Sequence, residues 1–180
     1  MDARKDHHQR SAPWIRQQVE LITTLRGRFV RRWIGCDMAF LEVGADGLPQ
    51  WEHGSAPELQ LVQIELDLIG DETARISNYQ SYDQFGLYRD DGLPPLSPGL
   101  PEDPASIFRD RVLPELPSGE ILDVHIVIDG EGDIAEVLLS VAGKVVRMRA
   151  GEYWEEEGGA LSLHEMDNCI LVQVDGRKPG

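Results

Sequence analysis

Val62-Gln63-Ile64-Glu65-Leu66-Asp67-Leu68 alternates apolar and polar side chains, and Gly70-Asp71 then precedes Thr73-Ala74-Arg75-Ile76-Ser77-Asn78-Tyr79. Successive side chains of a β-strand point to opposite faces. This period of two therefore predicts a strand with Val62, Ile64, Leu66 and Leu68 on a buried face and Gln63, Glu65 and Asp67 on the other. Gly70-Asp71 reads as a tight turn, which makes the two runs an antiparallel hairpin.

The flanking sequence repeats the same pattern. On the N-terminal side, Arg28 to Ile34 and Met38 to Val43 read as two strands around Gly35-Cys36-Asp37, followed by a loop over residues 44–58 rich in Gly and Pro. Toward the C-terminus, Ile121 to Ile128 reads as a strand. Ile134 to Val141 and Lys144 to Ala150 form a hairpin across Ala142-Gly143, and Leu161 to His164 and Cys169 to Val174 close the series. Glu155 to Gly159 is a charged turn. Links this short do not accommodate parallel crossovers, which need a dozen or more residues.

Two segments read as helical. Ser11-Ala12-Pro13 is a helix start, with Pro in the first turn, and Trp14, Ile15, Val19, Ile22 and Leu25 follow at helical spacing up to Gly27. Asp103-Pro104 reads as the cap of a short helix through Ile107, Phe108, Arg111 and Val112, after a proline-rich loop over 91–104. The predicted fold class is α+β, with a mainly antiparallel, curved β-sheet and one or two helices.

A chain of 180 residues fits one domain. The reading assigns residues 1–10 to a polar, flexible arm, residues 11–176 to a single α+β domain and residues 177–180 to a flexible tail. The length buries enough surface to make disulfides or metals unnecessary for stability. Two cysteines, Cys36 and Cys169, lie among apolar residues and read as small buried hydrophobes in a reducing cytoplasm. No run approaches a membrane span, and the charged N-terminus does not read as a signal peptide.

The formal net charge is −15, and it is unevenly spread. Residues 1–34 hold eight Lys or Arg against three acids; the remainder holds nine against twenty-nine. Such a body repels nucleic acid and anionic membranes and attracts a basic protein.

Asp129-Gly130-Glu131-Gly132-Asp133 resembles the start of a calcium loop but lacks Gly at the sixth position and Glu at the twelfth, so it reads as an acidic turn. His164-Glu165 lacks the second His that a helical zinc site requires. His125, within an apolar strand, reads as a hydrogen-bonded structural histidine. Gly-x-Ser-x-Gly, Walker and dinucleotide fingerprints are absent. The reading names no catalytic residue, no metal ligand and no cofactor, and sets no oligomeric state.

Two stretches mix aromatics with acids. Four of the twelve aromatics fall within Tyr79–Tyr88, namely Tyr79, Tyr82, Phe85 and Tyr88, with Asp83 among them. The second stretch is opened by Glu152 and continues as Tyr153-Trp154-Glu155-Glu156-Glu157. Tyr and Trp supply large contact area with a polar tip, and carboxylates beside them suit Lys or Arg. These ten residues, Glu152 aside, are the candidate partner-binding set, although each stretch also reads as ordinary core edge or solvated turn.

Leu25-x-Gly27, Arg32, Cys36 to Gly44, Ile76-x-x-Tyr79-x-x-x-Asp83-x-Phe85-Gly86-Leu87, Ala150-Gly151-Glu152 and Ile170 to Val174 together resemble small, uncharacterised acidic bacterial proteins. Some of these resemble immunity proteins of polymorphic toxin systems. The resemblance spans residues 20–176, carries no catalytic residue and implies a bacterial cytoplasmic binding protein. The expected function is binding and occlusion of a basic toxin. The alternative is a small hydrolase or small-ligand-binding domain with a pocket on the curved sheet.

Overall fold

Ser11 adopts an extended conformation (φ −67°, ψ 144°), and its side-chain oxygen accepts the Trp14 N–H as the cap of helix α1 (Ala12–Thr23). This is the helix that the sequence predicts. A computed structural model describes residues 11–81, 84–92, 94–99, 101 and 103–176; the expected arm (1–10) and tail (177–180) lie outside the described residues. Ile15 and Ile22 of α1, with Leu25 just after it, face the core. No described helix is long and apolar enough to cross a membrane.

Among the described residues α1 is followed by nine strands: β1 (Phe29–Met38), β2 (Leu59–Leu68), β3 (Glu72–Ser81), β4 (Gln84–Arg89), β5 (Phe108–Val112), β6 (Gly119–Ile128), β7 (Ile134–Val141), β8 (Lys144–Glu155) and β9 (Leu161–Val174). Their sheet order is β4-β3-β2-β9-β8-β7-β6-β1-β5, and every pairing is antiparallel. An additional pairing of β1 with β2 curls the sheet into a partial ring. The predicted α+β class, mainly antiparallel and curved, is the fold observed. Closure works because two strands divide one edge between two neighbours. β2 pairs β9 through Leu59–Leu61 and β3 through Gln63–Leu68, and β1 pairs β6 at its start and β5 at its end.

The ring is filled with apolar side chains. Ile64, Leu66 and Leu68 of β2 meet Val137 and Leu139 of β7, Val146 and Met148 of β8, and Ile170 and Val172 of β9 in one buried cluster. Trp33 is fully buried and donates its indole N–H to the Pro117 carbonyl at 2.8 Å, so the ring enters the core without an unsatisfied donor. Arg89 of β4 ties α1 to the sheet. Its backbone N–H donates to Gln18 Oε1 at 2.8 Å, and Nη1 donates to the Leu21 carbonyl at 3.0 Å, near the negative end of the helix dipole.

Five elements differ from the sequence reading; the expected strand Met38 to Val43 is absent, because β1 ends at Met38 and only an isolated bridge, Leu41 to Gln50, follows. Gly35 is no turn: β1 is continuous, and a Cβ at Gly35 would sit 2.9 Å from Leu113 and 3.1 Å from Leu61. The glycine admits close packing inside a strand. Leu61, not Val62, joins Ile64, Leu66 and Leu68 inside, because a bulge pairs Cys36 with Gln63 and Asp37 with Leu61. Residues 108–112 form strand β5 rather than a helix, pairing the free edge of β1. This places Arg109 and Arg111 on one face, where their Nε atoms reach Asp37 Oδ2 at 2.8 and 2.6 Å. The last two expected strands are one: Ala150 pairs Ile170 while Gly151 pairs Glu165, so Met166–Cys169 bulge out of β9. Asn78 Nδ2 holds that bulge, donating to the Asp167 carbonyl at 2.6 Å.

The second face of β2 is covered as well. Glu65 is buried against Arg75 (2.7 Å, both side chains nearly inaccessible) and accepts the Leu96 N–H at 3.1 Å. The proline-rich segment thus lies over an ion pair that the alternating pattern placed toward solvent. The expected turns at Gly70-Asp71 and Ala142-Gly143 are present. Asp71 (φ 57°) and Ala142 (φ 49°) hold the left-handed conformation beside Gly70 and Gly143, as tight hairpins demand.

Candidate functional site

The first aromatic stretch is built into the junction of helix and sheet. Tyr79 is 4% exposed, and its hydroxyl donates to the Asp133 carboxylate. It meets Trp14 of α1 edge-on at 5.2 Å. Tyr88 is half-buried, 5.8 Å from the Trp14 ring, with its hydroxyl on Asp90 Oδ2 at 3.2 Å. Burial, then the Asp90 charge, pushes the Tyr88 phenol up to about 12. Phe85 is half-buried against the same core. Tyr82 and Asp83 lie outside the described residues. These rings lock α1 onto the sheet.

The second stretch lies on a projecting ribbon. Beyond Ala150, β8 and β9 pair only with each other among the described residues, Gly151–Glu155 against Leu161–Glu165. Strand alternation sends Tyr153 and Trp154 to opposite faces. Tyr153 is 8% exposed; its N–H donates to Gln60 Oε1 at 2.6 Å, its hydroxyl donates to the buried Glu58 carboxylate, and its ring meets Phe40 edge-on at 5.8 Å. Burial and the Glu58 hydrogen bond raise its phenol well above the usual range. Tyr153 therefore anchors the ribbon from within.

Trp154 is 48% exposed. Its indole stacks on His164 of the paired strand, with ring centroids 4.1 Å apart and planes 19° from parallel. The following turn is closed by the Glu156 N–H on the Ala160 carbonyl at 2.8 Å, and Glu155, Glu156 and Glu157 are all exposed.

A groove of about 550 Å³ runs beside this ribbon. Met38, Ala39, Phe40 and Glu42 form one wall, and Glu152 through Gly158 form the other. Five carboxylates line it: Glu42, Glu152, Glu155, Glu156 and Glu157. Among the described residues no Lys or Arg nitrogen lies within 4 Å of any of them. The acids of the fold itself are matched instead: Glu58 with Arg149, Glu65 with Arg75, Asp67 with Arg31 and Arg32, and Glu136 with Arg147.

Glu152 is half-buried at the base of the groove. Burial, then the neighbouring Asp167 carboxylate, raises its pKa to about 7, against a lesser opposing pull from its hydrogen bond with Cys169. Cys169 is buried, its thiol raised by that burial and by Glu152, and its Sγ lies 3.3 Å from Met38 Sδ. Cys36 is pushed up to about 12 by burial and by Asp110. Both thiols are protonated at neutral pH, the form that is a poor nucleophile.

Other sequence candidates resolve into structure. Asp129 Oδ1 accepts the N–H groups of Glu131 and Asp133, both at 2.9 Å, so the acidic turn uses its own carboxylate. His125, read as a hydrogen-bonded structural histidine, is exposed on β6. No three His, Cys, Asp or Glu side chains among the described residues converge on a metal position.

Sequence reasoning missed Phe40 and Glu42. Phe40 and Glu42 come from a segment more than a hundred residues before the ribbon and read as part of a strand. The separation of Tyr153 from Trp154 was readable, had the strand been continued past Ala150. No family model, curated protein or solved structure matches this chain.

Proposed function

We propose that the protein is an acidic cytoplasmic binding protein that neutralises a basic protein by occlusion, as an immunity protein does its toxin. The supporting observation is the groove itself: a half-exposed Trp154 among five carboxylates that have no cation among the described residues. A body bearing net negative charge steers a cationic partner toward the groove, and an aromatic side chain at its rim holds it. Binding over the ribbon then covers the partner's working surface.

The test is affinity capture with the full chain from its source cell, followed by a salt series on the captured partner. Trp154→Ala weakens binding by about 2 kcal/mol or more and leaves the fold intact. Replacing Glu155, Glu156 and Glu157 with Gln slows association and flattens its salt dependence. An acidic partner, or one indifferent to salt, refutes the proposal. A second reading, a small hydrolase, is favoured by one observation only, the half-buried Glu152 with its pKa near 7. A turnover abolished by Glu152→Gln would put that reading first.

A further inference from the structure

The Trp154 indole is a platform with one side occupied. His164 stacks against it at 4.1 Å, yet Trp154 remains 48% exposed and is one of the residues that line the groove. A stacked pair of flat rings accepts another flat group. The charge of the lining requires that group to be cationic.

The same fold shows what fills such a place. Elsewhere in the fold, the Arg109 guanidinium lies over the Trp51 ring at 4.4 Å, while its Nε donates to Asp37 Oδ2 at 2.8 Å. That arrangement has three parts: an indole, a planar cation on its face, and a carboxylate receiving the cation's N–H. Beside Trp154 the indole and the carboxylates are present. No Arg or Lys of the described residues supplies the cation.

From this we infer that the groove receives an arginine side chain of the basic partner, its guanidinium laid on Trp154 and its N–H groups directed at the rim carboxylates. The inference rests on the docking reading above and adds which side chain is read. Guanidinium suits the place better than ammonium. It is planar, weakly hydrated and able to stack while donating several hydrogen bonds in its plane. Lysine offers a compact, strongly hydrated charge that satisfies the carboxylates but not the ring.

The experiment titrates N-acetyl-arginine amide and N-acetyl-lysine amide, both monocations, into the full chain. The indole N–H resonance of Trp154 is followed by NMR and assigned with Trp154→Phe. The arginine amide is expected to shift that resonance saturably and to bind roughly threefold or more tightly than the lysine amide. Glu155→Gln/Glu157→Gln is expected to weaken arginine binding several-fold. The Trp51 resonance serves as the internal control and stays still.

Equal responses to the two amides, no saturable response, or a shift at Trp51 instead overturns the inference. The docking reading fails separately. If a basic partner loses affinity with Trp154→Ala but its own Arg→Lys series changes nothing, the arginine assignment falls and docking stands. If the partner ignores both Trp154→Ala and removal of the rim charges, the groove is not the docking site and both fall.

Discussion

Replacing Glu152 with Gln should stabilise the protein at alkaline pH and leave it nearly unchanged in acid. In the unfolded chain this carboxyl ionises near 4.5, and in the fold it ionises near 7, mainly because half-burial penalises the charged form and Asp167 repels it. Below pH 4.5 both states hold the proton and the group is neutral in its effect. Between 4.5 and 7 the unfolded chain has released a proton that the native state retains, so each rise in pH favours unfolding. Above 7 both states are ionised and the full penalty is present. At 1.36 kcal/mol per tenfold change in acidity the ceiling is about 3.4 kcal/mol. Glu152 is only half-buried, so solvent screening reduces the expected effect to about 1–2 kcal/mol.

Urea denaturation of the wild type and Glu152→Gln at pH 5, 6, 7 and 8 measures this directly. Gln keeps an acceptor oxygen for Cys169, and other titrating groups cancel in the difference between the two proteins. The stabilisation should be small at pH 5 and approach its plateau by pH 8. A difference that is constant across this range, or largest at pH 5, would refute the account of Glu152. The same group links stability to binding. A cation seated beside Glu152 favours its ionised form, so binding should release protons and tighten as pH rises from 6 to 8.

Leu66→Ala, at a position with no exposure, should cost about 2–5 kcal/mol in urea denaturation; a loss under 1 kcal/mol would contradict its central place in the core. Glu65→Leu alone should cost about 3–5 kcal/mol by stranding the buried Arg75, and Arg75→Met added to it should recover much of that loss; strict additivity would show that the two side chains do not act as a pair. Gly86→Ala places a Cβ within 2.5–2.8 Å of the Tyr79 ring across the β3–β4 pair, and should cost about 1–3 kcal/mol by overpacking, measured by thermal melting.

Period two carried most of the fold. It marked β2, β3, β7 and β8 because one face of each is buried in the ring, and it marked their hairpins because Gly70-Asp71 and Ala142-Gly143 supply the left-handed residues. The errors share one physical origin, a contact made far away in sequence. Gly35 reads as a turn until Leu61 and Leu113 are known to press on it. Residues 107–112 carry spacing compatible with a helix, and the free edge of β1 decides for a strand. Val62 belongs inside by alternation, and the bulge opposite Cys36 gives its place to Leu61.

The candidate site was legible in part for the same reason. Composition reports 32 acids but does not sort them. Pairing does: Glu58, Glu65 and Asp37 are buried with arginines from other strands; removing Arg149 or Arg75 leaves Glu58 or Glu65 uncompensated, while Asp37 is held by both Arg109 and Arg111. Those acids serve the fold and are not available to a partner. The carboxylates around Trp154 have no such partner among the described residues, and solvent alone stabilises most of them. An arriving cation need not break an internal ion pair to reach them. Attraction at the groove is therefore uncompensated, whereas Glu58, Glu65, Asp67, Glu136 and Asp37 are already neutralised by arginines. Under the proposed docking, the groove carboxylates beside Trp154 are the acids through which net charge would act on a partner.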